Sequence, residues 1–419
     1  MKSPRIFYGW LIVAAAGIVG LYAGGIVVYG FTAIFEPIIA EFGWSYAVVS
    51  FAASLRGAES GLLEPVFGRI VDRWGPRRVV FMGGLFTSAG LLMLSHTSSL
   101  VMFYGSFILL AVGMSSCGTT VLVTAVANWF RARLGFATGV ALSGFGLGGL
   151  LLPVMVTLIA RYGWREAFEL LAIGALFVIL PLSLLLRHKP EQYGQVPDGR
   201  PHDNKRFRSG VGQALPVADE GAMRPGQAVR TVSFWLLTLA FTLHNGVILT
   251  TVTHVMPYLS DVGVQRMRAS IVATAIPLFS ILGRMGLGWL ADRKDRTRVT
   301  VAAYIMMCTG TLSLALVPVF GVWMLLFFVP LFGVGYGGVT SLRPALVRQY
   351  FGRTYFGGVF GLVIGINAIG GIVGPPVAGW VFDTWSDYRM VWMAFCLLAL
   401  AAALLVMAVR HTSVRPASR

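Results

Sequence analysis

Twelve long apolar runs, separated by short polar segments, set the pattern of this 419-residue chain. A helix needs about 20 mainly apolar residues to span a bilayer, and each run is long enough. The polar stretch 188–230 divides the runs into two groups of six. The predicted spans are 8–33, 45–68, 77–95, 99–127, 134–160, 166–186, 231–257, 269–291, 299–319, 323–347, 355–381 and 390–409. The pattern predicts an all-α polytopic membrane protein with an N-terminal six-helix bundle (1–187), a cytoplasmic linker (188–230) and a C-terminal six-helix bundle (231–419).

The composition argues against the soluble classes. Only 12% of the residues are charged, 56% are hydrophobic and the mean hydropathy is +0.76, whereas soluble domains carry about 25% charged residues. The apolar runs are too long and continuous for a β-barrel, whose strands alternate over about ten residues. We find no Ser-His-Asp grouping, phosphate loop or metal cluster in the sequence, and the three cysteines have no zinc or disulfide spacing. We therefore expect neither an enzyme nor a cofactor or metal.

The net charge of +16 indicates topology rather than nucleic-acid binding. Loops on one side of the predicted spans hold 25 Lys and Arg residues, and loops on the other side hold five. Cytoplasmic loops of membrane proteins are enriched in Lys and Arg, so we expect both termini in the cytoplasm and no nucleic-acid partner. We expect the chain to lie in the plasma membrane, with a bacterial inner membrane favoured, to contact the lipid bilayer and to function as a monomer.

The two halves repeat one another. Residues 68–73 (GRIVDR) match residues 288–293 (GWLADR) at an offset of 220 positions. Two repeats of six spans around a linker are typical of secondary transporters. The repeat therefore favours a carrier that works by alternating access over a channel or a membrane enzyme.

Residues 68–78 (GRIVDRWGPRR) resemble the loop motif between the second and third spans of the major facilitator superfamily. Residues 288–298 carry a second copy. The resemblance covers nearly the whole chain and implies two pseudo-symmetric six-helix bundles, together with a conformational latch that holds the halves in the outward-facing state. The latch residues that it implies are Gly68, Asp72, Arg73, Gly75 and Arg77, with Asp292 and Arg293 in the second copy. The alternative is that these charges only set the topology.

Shorter motifs resemble the monocarboxylate porter and oxalate:formate antiporter group of that superfamily. They lie at 8–10 (YGW), 42–45 (FGWS), 130–139 (FRARLGFATG) and 350–361 (YFGRTYFGGVFG). The resemblance implies secondary active transport of small organic anions, monocarboxylates foremost, by proton symport or anion exchange. Two alternatives stay open: a major facilitator exporter of drugs or other small molecules, and a non-transporting membrane sensor on the same fold.

Arg284 is the strongest candidate for substrate binding. A charged side chain inside a span is costly and normally faces a cavity or a partner, and a guanidinium can bind a carboxylate through two hydrogen bonds. In the resembling group, the arginine eight residues before the eighth-span motif aspartate binds the substrate carboxylate, and Arg284 and Asp292 have that spacing. The alternative is a structural pair with a neighbouring acid. The further substrate-binding candidates are Tyr29, Phe145, Tyr336, His254, Ser280, Thr119 and Asn367.

The remaining charges in the spans suggest how the carrier is coupled and what it selects. The proton-coupling candidates are Glu59, Glu64 and His254. We expect Arg56 to pair with Glu59 one helical turn away, and Arg343 to lie too close to the cytoplasmic end to face the cavity. Arg284 would then be the single free cation. Because an unpaired buried carboxylate is costly, this predicts a monoanion rather than a dianion such as oxalate, with protons as a second candidate partner.

Overall fold

A computed structural model describes residues 7–29, 37–44, 62–199, 223–385 and 387–409, and the regular secondary structure of this part of the chain is helical. Helices α1 to α9 cover Tyr8–Ala23, 37–42, 62–74, Pro76–Ser95, Leu100–Ser116, Thr119–Trp129, Leu134–Leu147, Leu152–Tyr162 and Trp164–Leu185. Helices α10 to α17 cover Pro225–Ala228, Val232–Asp261, Arg266–Ala291, Arg296–Ala315, Val317–Phe320, Leu325–Phe351, Phe356–Trp385 and Arg389–Ala408.

The described helices agree with the predicted spans and confirm the fold class. Ten helical stretches among the described residues are long and apolar enough to cross a membrane, and one of them, Leu100–Trp129, joins α5 and α6. The fifth predicted span is α7 and α8, which the short turn Gly148–Leu151 connects. Helix α3 is the described part of the second span. The chain is therefore an all-α polytopic membrane protein.

Local sequence explains several of the helix boundaries. Ser99, Thr231 and Asp295 each precede a helix and accept a hydrogen bond from the backbone N–H three residues on, which satisfies a donor that the first turn leaves free. Gly75 separates α3 from α4 with φ of +79°. Glycine adopts this left-handed backbone without a steric penalty, so the chain can turn sharply inside the 68–78 motif.

The same helix pairs pack in both halves. Helix α1 packs on α7, and its counterpart α11 packs on α16. Helix α4 packs on α5 and α9, and its counterpart α13 packs on α15 and α17. Small residues bring these helices close together: a Cβ on Gly144 would clash with the Gly17 carbonyl oxygen, and one on Gly370 would clash with that of Thr242. The repeated sequence thus folds into a repeated, pseudo-symmetric arrangement.

The halves meet at the end of the bundle that carries Arg69, Arg77, Arg131, Arg293 and Arg353, which we call the basic end. Here α3 packs against the start of α16, and the end of α12 packs against the start of α7. Among the described residues, the hydrogen bonds between the halves lie at this end or near mid-span. The halves are therefore closed at the basic end.

The residues that follow α9 fold under the basic end. Glu191 forms an ion pair with Arg353 of the C-terminal half at 2.6 Å. The Asp198 carboxylate accepts the backbone N–H groups of Arg131 and Ala132, at 3.0 and 2.8 Å. The first residues of the linker thus touch both halves.

Cys308 and Cys396 lie side by side on α13 and α17 as a disulfide-bonded pair. The sequence analysis found no disulfide spacing among the three cysteines, and the structure nevertheless pairs these two. The two residues are 88 positions apart, and only the packing of α13 on α17 brings them together, so their spacing carried no signal.

Candidate functional site

A cavity of about 250 Å³ lies between the halves. Helices α3, α6 and α7 line it from the N-terminal half, and α11, α12, α15 and α16 line it from the C-terminal half. The lining residues are Glu64, Thr119, Leu142, Phe145, Asn245, Arg284, Thr340, Arg343, Ile364, Asn367 and Ala368. Among the described residues, its charged side chains are one carboxylate and two guanidiniums.

Arg284 lies on α12 and is 6% exposed. Its Nη1 donates to the Leu142 carbonyl oxygen of α7 at 2.6 Å, and its Nη2 donates to the Tyr336 hydroxyl at 3.1 Å. Its Nε is buried without a hydrogen-bond partner. Helix α7 approaches α12 closely here because Gly139, which has no Cβ, faces the Arg284 carbonyl oxygen. Among the described residues, no carboxylate forms an ion pair with Arg284, so the structural-pair alternative finds no acid there.

Arg343 also lines the cavity and is 7% exposed. The expectation that it lies too near one end to face the cavity is therefore wrong. The reason is the direction of helical side chains, which tilt toward the N-terminus of their own helix. Helix α15 runs toward the basic end, so a residue in its last turns reaches back to mid-span.

The contacts of Arg343 are with neutral groups. Its Nη2 lies 3.0 Å from Nδ1 of His244, and the guanidinium lies over the Phe241 ring. With the Asn367 amide oriented to satisfy its neighbours, its oxygen accepts from Nη1 at 2.8 Å and its nitrogen donates to the Phe241 carbonyl oxygen. The Nε of Arg343 is buried without a partner. Among the polar lining residues, the sequence analysis missed Asn245, Thr340 and Arg343, because hydropathy does not show which helix face turns to a cavity.

Glu64 is the carboxyl group of the cavity wall among the described residues. It is 6% exposed, and its Oε2 is buried without a hydrogen-bond partner. Its Oε1 occupies space that a side chain at position 118 would need: a Cβ on Gly118 would lie 2.9 Å from this oxygen. Its backbone contacts Gly361 of α16 across the contact between the halves. Glu64 therefore joins the cavity to the contact between the halves.

The neutral part of the lining is partly apolar. Leu142, Phe145 and Ile364 form apolar wall, and Thr119 and Asn367 offer hydrogen-bonding groups. Three of the sequence-predicted ligands, Phe145, Thr119 and Asn367, thus lie at the cavity together with Arg284.

Two other predicted ligands lie beside the cavity rather than in its lining. Tyr336 touches the site through its hydroxyl, which accepts from Arg284. Ser280 is buried one turn before Arg284, and its hydroxyl donates to the Pro277 carbonyl oxygen at 2.7 Å. Tyr336 therefore orients the guanidinium, and Ser280 bonds within its own helix.

His254 lies away from the cavity lining. Its Nδ1 is 3.1 Å from the Tyr388 hydroxyl, and its Nε2 is 3.1 Å from the Pro375 carbonyl oxygen. Both ring nitrogens are thus engaged within the C-terminal half. The side chain of Tyr29, and Arg56 and Glu59, lie outside the described residues.

The predicted latch rests on its two acids. Asp72 Oδ1 and Oδ2 accept the backbone N–H groups of Gly357 and Gly358, at 2.9 and 2.7 Å. Asp292 accepts those of Gly135 and Phe136, at 2.7 and 2.8 Å. A carboxylate at a helix start is favoured by the free N–H groups and the helix dipole.

The other predicted latch residues differ in whether they contact the opposite half. Gly68 packs so closely on α16 that a Cβ would clash with the Gly357 carbonyl oxygen. Gly75 makes the turn described above. Arg73 and Arg77 are exposed, and Arg293 stacks on its neighbour Trp289 at 3.6 Å from the ring centre. The acids and the glycine, rather than the arginines, make the contact between the halves.

A third acid, Glu41, forms a hydrogen-bonded cluster in the N-terminal half, at the end opposite the basic end. The Glu41 carboxylate accepts hydrogen bonds from Arg165 Nη2 and Trp164 Nε1, both at 2.7 Å. These two bonds hold the pKa of Glu41 below its usual value. Arg165 also donates to the Ser95 and Thr97 carbonyl oxygens, so one cluster joins three neighbouring segments.

Comparisons with known proteins agree with this architecture. A family profile described as the Major Facilitator Superfamily matches residues 15–342 and 255–419. Monocarboxylate transporter 12-B of Danio rerio is 27% identical, over 96% of this chain and 87% of its own. Monocarboxylate transporter 13 of Bos taurus is 27% identical, over 98% and 91%. The crystal structure of the E. coli fucose:proton symporter FucP superimposes with a TM-score of 0.73 at 14% identity, covering 97% of this chain and 100% of that one.

Proposed function

The chain belongs to the Major Facilitator Superfamily, and from that premise we propose that it is a secondary active transporter of small organic anions, chiefly monocarboxylates. The observation that carries this proposal is Arg284, a buried guanidinium at the wall of the cavity between the halves. A guanidinium is the side chain best suited to a carboxylate. Relatives that match nearly the whole chain are named monocarboxylate transporters, which supports the same substrate class.

The size and lining of the cavity favour a small carboxylate over a drug. Pockets for drug-sized ligands measure about 300–1,000 Å³, whereas this cavity measures about 250 Å³. Arg284 would hold the carboxylate. Leu142, Phe145 and Ile364 would contact a short carbon chain, and Tyr336 would keep the guanidinium in place.

The closed basic end fits one state of an alternating-access cycle. We place this end in the cytoplasm because of the excess of Lys and Arg in its loops, which also places both termini in the cytoplasm and makes the described state outward-facing. Opening inward would require Asp72 and Asp292 to leave the helix starts that they contact. A monomer in the plasma membrane, a bacterial inner membrane on our proposal, suffices for this cycle because both sides of the cavity come from one chain.

Proton symport and anion exchange differ in what returns the empty carrier. In symport, a cavity carboxylate takes up a proton with the substrate, and Glu64 is the described carboxylate in the lining. In exchange, a second anion occupies Arg284 on the return step. Uptake driven by a pH gradient into vesicles without internal anion would indicate symport, and uptake that requires an internal anion would indicate exchange.

Counterflow of radiolabelled lactate in proteoliposomes tests the proposal. The wild-type protein should accumulate label against an internal lactate pool. Arg284→Lys keeps the positive charge but cannot bind a carboxylate in the bidentate manner of a guanidinium, and should reduce counterflow at least about tenfold. Arg161→Lys, which changes an arginine over Tyr162 outside the cavity, should leave it unchanged. A folded protein that shows no counterflow with any small monocarboxylate would overturn the proposed function.

A further inference from the structure

The charges that line the cavity come from opposite halves. Arg284 and Arg343 lie on α12 and α15 of the C-terminal half, and Glu64 lies on α3 of the N-terminal half. All three side chains are more than nine-tenths buried. Each has a buried polar atom without a partner: Nε of either arginine and Oε2 of Glu64. A volume of about 250 Å³ corresponds to a sphere roughly 8 Å across, a distance over which buried charges interact strongly.

No other charge compensates Arg343 among the described residues. His244 Nδ1 faces the Nη2 donor of Arg343, so this nitrogen acts as the acceptor and the imidazole is neutral. Asn367 supplies an amide oxygen. The hydroxyl of Tyr336 accepts from Arg284, and Thr119 and Thr340 add neutral hydroxyls to the wall. Among the described residues, the charge of the cavity lining is therefore set by two guanidiniums and one carboxylate.

This count relates the charge of Glu64 to the charge of the substrate. With Glu64 ionised, the lining carries one net positive charge, and one substrate carboxylate neutralises it. With Glu64 neutral, the lining carries two, and two carboxylates are needed. A buried uncompensated charge is costly. The better substrate is therefore the one whose charge cancels the net charge of the lining.

We propose that Glu64 determines the specificity of the carrier: its negative charge offsets one of the two cavity arginines and so selects monocarboxylates over dicarboxylates of the same size. Arg343 is the second cation of this arrangement. The inference rests on the proposed function, since it assumes that the cavity binds carboxylates. It requires Glu64 to stay ionised while the substrate is bound, so it fits anion exchange and not symport through Glu64.

The location of Glu64 fits this role. Gly118 leaves room for its Oε1, and its backbone packs on Gly361 at the contact between the halves. The carboxylate thus enters the cavity from the half that carries neither arginine. Its distance from the arginines changes when the halves move, whereas Arg284 and Arg343 move together.

Competition of counterflow by size-matched anions tests the inference. Propionate and malonate both have three carbons, as butyrate and succinate both have four, and the assay is run at about pH 8 so that both carboxyl groups are ionised. We expect wild type to prefer propionate and butyrate. Glu64→Gln should raise the apparent affinity for malonate and succinate relative to the monocarboxylates by about tenfold or more.

Two further variants separate charge selection from simple damage. Arg343→Gln should weaken monocarboxylate binding, because the lining then carries no net charge. The double variant Glu64→Gln and Arg343→Gln restores one net positive charge and should return the wild-type preference, even if Glu64→Gln alone does not insert. Glu166→Gln, which removes an exposed acid outside the cavity, should change nothing.

The outcomes distinguish this inference from the proposed function. A Glu64→Gln carrier with the wild-type ratio of malonate to propionate affinity would overturn the selectivity role while leaving carboxylate transport in place. A double variant that still prefers dicarboxylates would overturn the charge count. If wild type binds none of the four anions, the proposed function itself fails and the inference falls with it.

Discussion

Asp72 and Asp292 make the same contact from opposite halves of the molecule. Each carboxylate accepts two backbone N–H groups from the start of a helix in the other half: α16 for Asp72 and α7 for Asp292. The two acids lie 220 residues apart in the repeated motif. Closure of the basic end is therefore built twice, once in each copy of the duplicated sequence.

We predict that Asp72→Asn slows transport while leaving substrate affinity nearly intact. An asparagine keeps one acceptor oxygen and places an NH₂ group against the second N–H donor, so one charge-assisted hydrogen bond is lost. Such a bond contributes about 2 kcal/mol, which corresponds to a shift of roughly 30-fold in the equilibrium between the two access states. Thiol labelling of a cysteine introduced in the cavity, compared from the two membrane sides, measures that equilibrium.

The duplicated geometry supplies the controls for this prediction. Asp292→Asn should have an effect of the same sign and similar size, because its contact is equivalent. Arg73→Gln should have a smaller effect, because Arg73 is exposed. A loss of substrate affinity in Asp72→Asn without a change in labelling would contradict the conformational role of Asp72.

The two histidines of α11 should behave differently. His254 bonds Tyr388 and Pro375, so His254→Gln should lower stability by about 1–2 kcal/mol and leave KM for monocarboxylates within about twofold. His244 contacts Arg343, so His244→Leu should raise KM several-fold. Uptake kinetics and thermal unfolding of the purified variants provide the two readouts. If His254→Gln abolishes the pH dependence of transport, His254 carries the proton.

The Glu41 cluster should make stability pH-dependent at the acidic end of the range. The pKa of Glu41 is lower in the folded chain than its ordinary value of 4.5, because Arg165 and Trp164 bond the carboxylate. A lowered folded pKa means that the ion pair stabilises the fold above about pH 4.5 and is lost as the pH falls through the folded pKa. The pair is exposed, so its contribution should be at most about 1 kcal/mol.

Thermal unfolding in detergent at pH 7 and pH 4 measures this contribution. Wild type should lose more stability between these pH values than Glu41→Gln does, and Glu166→Gln should behave like wild type. Equal losses in wild type and Glu41→Gln would show that the cluster does not contribute.

The sequence was sufficient to predict most of the spans that the structure describes, because a backbone in lipid must be helical and its side chains apolar over the full crossing. It also identified Arg284, since a charge in an apolar run needs a cavity or a partner. The sequence did not predict that Arg343 lines the cavity, because its backbone lies near one end of the span. Its long side chain reaches toward the N-terminus of its own helix and so enters the cavity. The sequence also could not show that His254 turns to Tyr388 and Pro375, because such contacts depend on helix packing.

The monocarboxylate preference remains a prediction, but its physical basis changes. The sequence argument counted one free cation, Arg284, with Arg343 outside the cavity. In the structure both guanidiniums line the cavity, and Glu64 lies in the same wall. The lining carries the single net positive charge that the sequence argument assumed only while Glu64 is ionised. The preference for monocarboxylates therefore depends on Arg284, Arg343 and Glu64 together.

Tyr336 should act on substrate binding through Arg284. Its hydroxyl accepts from Arg284 Nη2 at 3.1 Å, and removing one neutral acceptor from a charged donor changes the free energy of the site by about 1.5 kcal/mol. Tyr336→Phe should therefore raise KM roughly tenfold with little change in the maximal rate, since the closure contacts at Asp72 and Asp292 are untouched. Tyr258→Phe is the control: Tyr258 is buried, and its hydroxyl donates to the Leu314 carbonyl oxygen at 2.6 Å, away from the cavity lining. It should lower thermal stability without changing KM. Equal KM values for wild type and Tyr336→Phe would show that the Leu142 carbonyl oxygen alone holds the guanidinium in place.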